Sequence, residues 1–329
     1  MENLPQIESP EWSGLPNNAE KLLRELESER FISELNKIQG LEDEELTSTS
    51  SSEKASKTWM QIVKDKVERL YSTLPGQVNT MEKMEKYSNS PIFRFLKREI
   101  GVMGKLLKKV RNDLISIKEM CEGKSKSTNE IREISKEILN DAIPKSWRVY
   151  LTVDMGISDW VVDLSNRVSQ LNKVGEDKNF GKNNLWLGGL IFPEAFLIST
   201  RQYVAQAQKV PLDELVLNLI LPKEIPEKVE DSDFVVSGLF IEGAEWNYDT
   251  GKLVMTDNLS SQLPKAILRW VVKSRLDSKI FALPVYLNTT RKNLLFSVMV
   301  QNDSDLSDAD WYQRGTAIVS WNKSFEYKN

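Results

Sequence analysis

The sequence predicts an α+β protein, with an N-terminal α-helical bundle followed by a small antiparallel β-barrel or sandwich of about six strands. Two observations lead to this fold class. Up to residue 209, apolar residues recur every three or four positions, as they do along one face of a helix. After Val210 the period changes to two, which is typical of half-buried strands. The 329 residues suffice for two or three domains.

The first two helices are separated by a polar segment. One helix is expected from Leu15 to about Leu46, and a second from Trp59 to Tyr71. Residues 46–57 between them are rich in serine and poor in apolar residues, which predicts a flexible loop. The second helix should pack through one side formed by Trp59, Ile62, Val63, Val67, Leu70 and Tyr71.

The clearest helix begins at Pro91, a favourable first-turn residue, with Ser90 as its expected cap and Gly123 at its end. Its apolar residues are spaced by fours and threes, so it should be packed along its whole length. This apolar seam consists of Ile92, Leu96, Ile100, Met103, Leu107, Val110, Leu114 and Ile117.

Two further helices are predicted before the strands. Ser127 or Thr128 should cap the first of them, which Pro144 closes, and Ser158 should start the second. The second should pack through Trp160, Val161, Leu164, Val168 and Leu171.

The β part is expected to span residues 210–329. Leu215 to Leu221 is a predicted strand, and Phe234 to Trp246 is another, bent sharply or bulged at its two glycines, Gly238 and Gly243. A hairpin turn, Tyr248-Asp249-Thr250-Gly251, should lead into the next strand. Three later strands are expected at residues 281–287, 294–300 and 316–321.

Composition restricts the chemistry that these residues can support. The sequence contains no histidine, which removes histidine-based triads and histidine-ligated zinc. The single cysteine, Cys121, lies beside Glu122, whose charge disfavours a reactive thiolate. The net charge of -4 gives no bulk attraction to nucleic acid or anionic membranes, and the longest apolar run is too short to span a bilayer. We therefore expect neither nucleic acid nor membrane as a partner.

No cofactor-binding, metal-binding or catalytic residue is predicted. Gly123-Lys124-Ser125 matches only the second half of a phosphate loop, since Lys118 stands where the first glycine is required. The acidic run Glu42-Asp43-Glu44-Glu45 lacks a ligand pattern and favours a solubilising loop. Paired carboxylates remain as an enzymatic alternative, with Asp154, Asp159 and Asp163 near Trp160 as the candidates.

A basic surface is expected on the solvent side of the long helix. Such a charge run is usually a solvated face, but it could contact an acidic partner or the acidic surface of tubulin. Its residues are Lys105, Lys108, Lys109 and Arg111.

The segment Asn184–Ala207 connects the two parts of the sequence. Gly188-Gly189 lacks the third glycine of a dinucleotide fingerprint, so it favours a joint between subdomains that permits close packing. Pro193 suits the first position of the helix that follows. The candidate residues for packing, either against another subdomain or against a larger assembly, are Trp186, Gly188, Gly189, Pro193, Phe196 and Tyr203.

This segment also carries a resemblance to a known family. The run LWLGGLIFPEAFLISTRQYVAQA at residues 185–207 closely resembles the C-terminal region of cytoplasmic dynein heavy chains. Other segments agree in the same order along nearly the whole chain, namely LPNNAE, PIFRFLKREI, LLKKVRNDL, IPKSW and LPVYLNTTRKNLLFSV. Residues 47–57, 222–231 and 324–329 carry no family pattern.

The resemblance implies a domain of an ATP-driven, minus-end-directed microtubule motor. Residues 1–20 would be the end of the sixth AAA+ module's lid and its junction, residues 21–209 the helical part of the C-terminal domain, and residues 210–329 its β part. ATP and magnesium would bind upstream AAA+ modules, and this chain would need no cofactor. The domain would pack on the AAA+ ring of the same cytoplasmic, cytoskeleton-associated heavy chain, and through it would act with microtubules and other dynein subunits.

Two rival functions remain open beside a regulatory, non-catalytic domain. One is a free-standing adaptor that binds a partner through the basic surface, and the other is a small-molecule enzyme that uses carboxylates. In the regulatory hypothesis, part of the apolar seam should face a ring surface as well as the chain's own core. The seam residues concerned are Ile100, Met103, Leu107, Val110 and Leu114.

Overall fold

The computed structural model forms two compact units, neither of which is a single stretch of sequence. It describes residues 24, 27–28, 31–32, 52–79, 87–148, 155–176, 184–226, 230, 232–256, 260–275, 280–301 and 306–320. One unit contains Met1–Glu27, Lys86–Phe95 and Asp177–Asn329, and we call it the sheet unit. The other contains Ser28–Glu85 and Leu96–Glu176, and we call it the helical unit.

Four helices of the helical unit have described bounds. They are α1 at Ser52–Thr73, most of α2 at Pro91–Cys121, α3 at Asn129–Leu139 and α4 at Ile157–Glu176. Helix α1 contacts α3 and α4. The predicted faces of α2 and α4 are confirmed, because every residue of the apolar seam and all five predicted residues of α4 are buried. Periodicity alone thus identifies the helical core.

Two helix ends follow the expected residues, whereas α4 begins one residue before Ser158, at Ile157, and α3 ends at Leu139, five residues before Pro144. Gly123 ends α2 with a φ of 72°, and the side chain of Thr128 accepts a hydrogen bond from the Ile131 amide at the start of α3. Ser90 lies just before α2 as expected, and its carbonyl accepts the Arg94 amide at 3.1 Å, but its hydroxyl makes no capping bond, because that oxygen is buried without a hydrogen-bond partner.

Helix α1 differs from the prediction in two respects. It begins at Ser52, so residues 52–57 of the expected flexible loop are helical, and residues 46–51 lie outside the described residues. Ile62 is 53% exposed, although its spacing predicts it on the packed side. Val63, Val67 and Leu70, spaced by four and three, take the buried side, and Ile62 lies about 100° away from Val63 around the helix. Of the first expected helix, only residues 24, 27–28 and 31–32 are described, and all five are helical.

The sheet unit contains a curled nine-stranded mixed sheet instead of a six-stranded antiparallel barrel. The strands, numbered β1 to β11, are Leu185–Trp186, Leu215–Ile220, Asp233–Ser237, Phe240–Glu242, Glu245–Asn247, Lys252–Val254, Ser260–Gln262, Ala266–Val272, Ile280–Tyr286, Leu294–Gln301 and Ala317–Val319. The strand order is β1-β3-β8-β2-β10-β9-β11-β4-β7, and β5 pairs with β6 in a separate ribbon. Three pairs are parallel: β1 with β3, β2 with β10, and β9 with β11.

The expectation of six antiparallel strands fails for identifiable reasons. Strand β8 is missing from the expected set because its sequence, AILRWVV, is largely apolar on both faces and does not alternate. The stretch 234–246 forms three strands because Gly238 and Gly243 both adopt a φ of 74°, which interrupts the extended backbone at each glycine. The predicted bends and the hairpin between β5 and β6 are confirmed.

The sheet unit also contains two helices with described bounds. Helix α5 at Pro193–Gln208 begins at the proline that was expected to start it, and α6 spans Asp308–Gln313. The first five residues of α2 also belong to this unit, where the Phe95 ring lies 5.7 Å from the Phe196 ring of α5. Helix α5 therefore packs into the core of the sheet unit through Phe196.

Candidate functional site

The segment that connects β1 to α5 passes through a tightly packed turn. Leu187–Gly189 form one turn of 3-10 helix, closed by a hydrogen bond of 3.2 Å from the Leu190 amide to the Leu187 carbonyl. Both glycines are buried. A Cβ on Gly188 would overlap the carbonyl oxygen of Ser320, just beyond β11. The turn therefore requires glycine for a close backbone approach within the sheet unit.

A second close approach lies beside this turn. Gly238, at the end of β3, has a φ of 74°, and a Cβ on it would overlap the indole of Trp186 in the paired strand β1. The same indole nitrogen lies 3.1 Å from the Cβ position of Gly188. Trp186 thus fills the space that two glycines leave open.

Helix α5 places the remaining candidate packing residues on the sheet. Pro193 is buried at the start of the helix, and Phe196 makes an edge-on contact with Phe234 of β3 at 6.1 Å. Tyr203 contacts the same Phe234 ring at 6.4 Å. All six predicted packing residues therefore lie in the sheet unit, and Trp186, Gly188, Phe196 and Tyr203 lie against other residues of that unit. Their contact with a larger assembly stays a prediction.

Two residues at the contact between α5 and the sheet, Trp270 and Arg201, are not predicted by the sequence. The indole of Trp270 in β8 donates a hydrogen bond of 3.0 Å to the Thr200 hydroxyl of α5. The Arg201 guanidinium lies over the Trp270 ring at 5.6 Å and donates to the Leu215 carbonyl at 3.0 Å. Since β8 is not recognisable by its period, no local signal connects these residues.

The predicted basic surface divides into two parts. Lys105 and Lys108 are exposed, as expected. Lys109 lies 3.5 Å from Asp113 and 3.8 Å from Glu130 in ion pairs. Arg111 is only partly exposed, because its guanidinium donates to the carbonyls of Leu74 and Pro75 and to the Tyr71 hydroxyl. Arg111 therefore connects α2 to the end of α1 and is not part of an open surface.

The apolar seam leaves no side chain exposed for a second surface. Ile100, Met103, Leu107, Val110 and Leu114 have exposed fractions of 0% to 5%. The expectation that they are shared between the core and an outside surface is wrong for the chain as folded here. Any docking surface on α2 must use the residues of its exposed side.

The candidate acids and the cysteine do not converge on a reactive centre. Asp159 is exposed in the first turn of α4, whereas Asp163 is buried and accepts a hydrogen bond of 2.6 Å from Arg167. Asp154 and the run at residues 42–45 lie outside the described residues. Burial raises the pKa of the Cys121 thiol, the charge of Lys64 opposes this, and the charge of Glu122 adds a smaller rise in the direction that the sequence suggested. In the described part of the chain, no group of three or more cysteine or acidic side chains could hold a metal ion.

The helices give no indication of a bilayer-spanning segment. Among the residues that the structure describes, none of the helices combines the length and apolar character needed to cross a membrane.

Comparison with known proteins identifies the family. Residues 25–320 match the family described as the C-terminal domain of the dynein heavy chain. The chain is 37% identical over 336 aligned residues to a cytoplasmic dynein heavy chain of Paramecium tetraurelia, and 35% identical over 337 residues to that of Dictyostelium discoideum. Each alignment covers 98% of this chain but only 7% of the relative. Human dynein axonemal heavy chain 17 is 27% identical over 300 residues, which cover 88% of this chain and 6% of the relative.

The matched residues include both the glycine-dependent turn of the sheet unit and the seam of α2. A family match over residues 25–320 covers well over half of the chain. The chain belongs to the dynein heavy chain family, and it is a C-terminal domain of that family.

Proposed function

We propose that this domain packs on the AAA+ ring of its own heavy chain and regulates an ATP-driven, minus-end-directed microtubule motor without catalysing a reaction itself. The observation that carries the proposal is the family match over residues 25–320, combined with an alignment that spans only 7% of each of the two cytoplasmic relatives. In a heavy chain of which this domain is only a small part, the ATP sites would lie outside the domain, and ATP and magnesium would bind there.

The contacts of the sheet unit support a mechanical role. Its glycine-dependent turn and the aromatic cluster around Phe196 and Phe234 are closely packed, so the unit would respond to an applied contact as a rigid element. A rigid element can bias a ring only if it contacts two ring states with different energies. Regulation would therefore appear as a difference in docking between nucleotide states.

The other partners follow from the whole motor. Through the full heavy chain, the domain would work with microtubules and other dynein subunits, in the cytoplasm and associated with the cytoskeleton. The Paramecium and Dictyostelium relatives described above are both cytoplasmic dynein heavy chains, which supports this location. Neither nucleic acid nor a membrane is proposed as a partner.

Co-elution tests this proposal directly. The purified chain is mixed with a motor ring of the same heavy chain truncated just before Leu15, and the mixture is separated by size in the presence of ATP, of ADP and of no nucleotide. We expect stoichiometric co-elution that differs between these conditions, together with a change in ATPase rate when the domain is added. The proposal fails if the folded domain elutes separately in all conditions, and if a heavy chain lacking the domain also keeps its ATPase rate and force.

A further inference from the structure

The exposed side of α2 carries a group of three lysines. Lys97, Lys105 and Lys108 are exposed, and within the described residues no carboxylate lies within ion-pair distance of any of them. Eleven residues separate Lys97 from Lys108, which is about 16 Å along the helix axis. All three belong to the helical unit. We call this surface, Lys97, Gly101, Lys105 and Lys108, the lysine-glycine face.

Several other cations of the helical unit form ion pairs with described carboxylates. Lys109 pairs with Asp113 and Glu130, Lys118 with Glu68 at 3.0 Å, and Lys64 with Glu122 at 3.3 Å. Solvated helix faces commonly alternate charges in this way. The first half of α2 instead presents three lysines on one side, and the one acid among its residues 91–108, Glu99, is buried.

Gly101 lies at the centre of this face, and the described residues give no packing reason for a glycine there. It is exposed, and a Cβ on it would meet no atom within 4 Å. The same holds for the space around Gly104, one turn further on. A glycine inside a helix destabilises it relative to alanine. No contact between Gly101 and a described residue offsets this loss. A flat site between lysines permits the backbone of another segment to approach closely.

We propose that the lysine-glycine face binds an acidic peptide segment of a partner protein, with the segment's backbone against Gly101 and its carboxylates on Lys97, Lys105 and Lys108. Charge complementarity identifies the chemistry of the occupant, and the span of the three lysines fits four to five extended residues. This face would give the domain a binding site for an acidic partner segment in addition to its proposed docking on the ring.

The test measures binding of a fluorescently labelled peptide of ten glutamates to the full-length domain by fluorescence anisotropy. The charge variant is Lys97→Gln with Lys105→Gln and Lys108→Gln. Its matched control is Lys126→Gln with Lys136→Gln and Lys145→Gln, three exposed lysines of the same unit that remove the same charge. We expect affinity to fall about tenfold in the charge variant and less than about twofold in the control.

A second pair of variants tests the close approach. Gly101→Gln adds a neutral side chain to the centre of the face, where the helix itself has room for it, and it should weaken binding about fivefold. Gly76→Gln, at another exposed glycine with open space, should leave affinity unchanged. Circular dichroism should show that Gly101→Gln keeps the helix, since glutamine favours helix more than glycine does.

Several results would overturn the proposal. Equal losses in the two lysine triples would mean attraction by overall charge, and unchanged affinity in Gly101→Gln would mean that nothing lies against the glycine. Absence of saturable binding by the wild-type domain would leave the face as a solvated surface. Equally tight binding of anionic vesicles or of a ten-nucleotide RNA through the same lysines would assign a different class of occupant.

Discussion

The helical unit and the sheet unit are each stabilised internally by a different kind of contact. In the helical unit, α2 buries side chains that recur every three or four residues, and each large side chain fills space on one predictable side. In the sheet unit, the turn at Leu187–Gly189 depends on the absence of a side chain, because Ser320 and Trp186 occupy the space beside Gly188. The packing of the helical unit depends on apolar side chains at a regular period, whereas the turn in the sheet unit depends on a glycine that has no side chain.

The largest expected effect tests the periodic packing of the helical unit. Leu114 is fully buried on α2, so Leu114→Ala should lower the free energy of unfolding by roughly 4 kcal/mol through lost burial and a cavity. Its neighbour Ile115 is 38% exposed, and Ile115→Ala should cost less than about 1 kcal/mol. Urea unfolding followed by circular dichroism measures both. Similar losses at the two sites would contradict the division between a buried and an open side.

The next prediction tests the turn in the sheet unit, where close packing depends on the absence of a side chain. Gly188→Ala adds one methyl group where the Ser320 carbonyl already lies, so it should destabilise the unit by roughly 3 kcal/mol through forced backbone movement. The same change at Gly104 in α2 meets open space and should stabilise the protein by about 0.5–1 kcal/mol. Unfolding midpoints in urea give the sign of each change. If Gly188→Ala were neutral, the turn would have more room than the backbone distances allow.

This contrast explains which parts of the fold could be predicted from the sequence. Helix α2 and helix α4 follow from their own residues, because a helical period is local and each apolar seam marks its own buried side. The order of the nine strands does not follow, because β8 pairs with β2 and β3, and neither partner is indicated by the residues of β8. The parallel pairs are likewise set by long-range contacts.

The candidate surfaces divide in the same way. The sequence predicts a buried role for Gly188 and Phe196 because glycine pairs and apolar helix positions have local meaning. It does not show that Arg111 reaches the carbonyls of Leu74 and Pro75, since those acceptors lie 36 to 37 residues away. The sequence alone does not distinguish a helical cation that is solvated from one that donates a hydrogen bond to a distant carbonyl.

A third prediction measures a polar contact that periodicity does not reveal. Trp147 and Trp160 stack at 5.7 Å and are both fully buried, but only Trp147 donates a hydrogen bond, to Asp113 at 2.8 Å. Trp160 has a buried indole nitrogen without a partner. Replacement of each by phenylalanine removes a similar volume, so Trp147→Phe should cost about 2 kcal/mol more than Trp160→Phe. Equal costs in thermal or urea unfolding would assign both effects to volume alone.

The smallest effect concerns a local feature inside the sheet unit, at the start of α6. Ser307 and Asp310 form a reciprocal capping box: the Ser307 amide and hydroxyl donate to the Asp310 carboxylate at 2.8 and 2.7 Å, and the Asp310 amide donates to the Ser307 hydroxyl oxygen at 3.4 Å. These hydrogen bonds lower the pKa of Asp310 in the folded protein. Because the folded pKa is depressed, the stabilisation is present above the ordinary aspartate pKa of about 3.9 and is lost as the pH falls through the folded value.

Ser307→Ala removes the hydroxyl donor, so the pKa of Asp310 should rise toward its ordinary value, and stability should depend less on pH in the acidic range. Tyr312→Phe in the same helix removes the hydrogen bond to the Ala282 carbonyl but leaves the capping box, and it should not change that pKa. Carboxyl chemical shifts in an NMR titration measure it. A pKa that does not move in Ser307→Ala would mean that the box contributes nothing. A rise would show that a short helix inside the sheet unit still obeys a purely local rule, although the strands around it depend on distant partners.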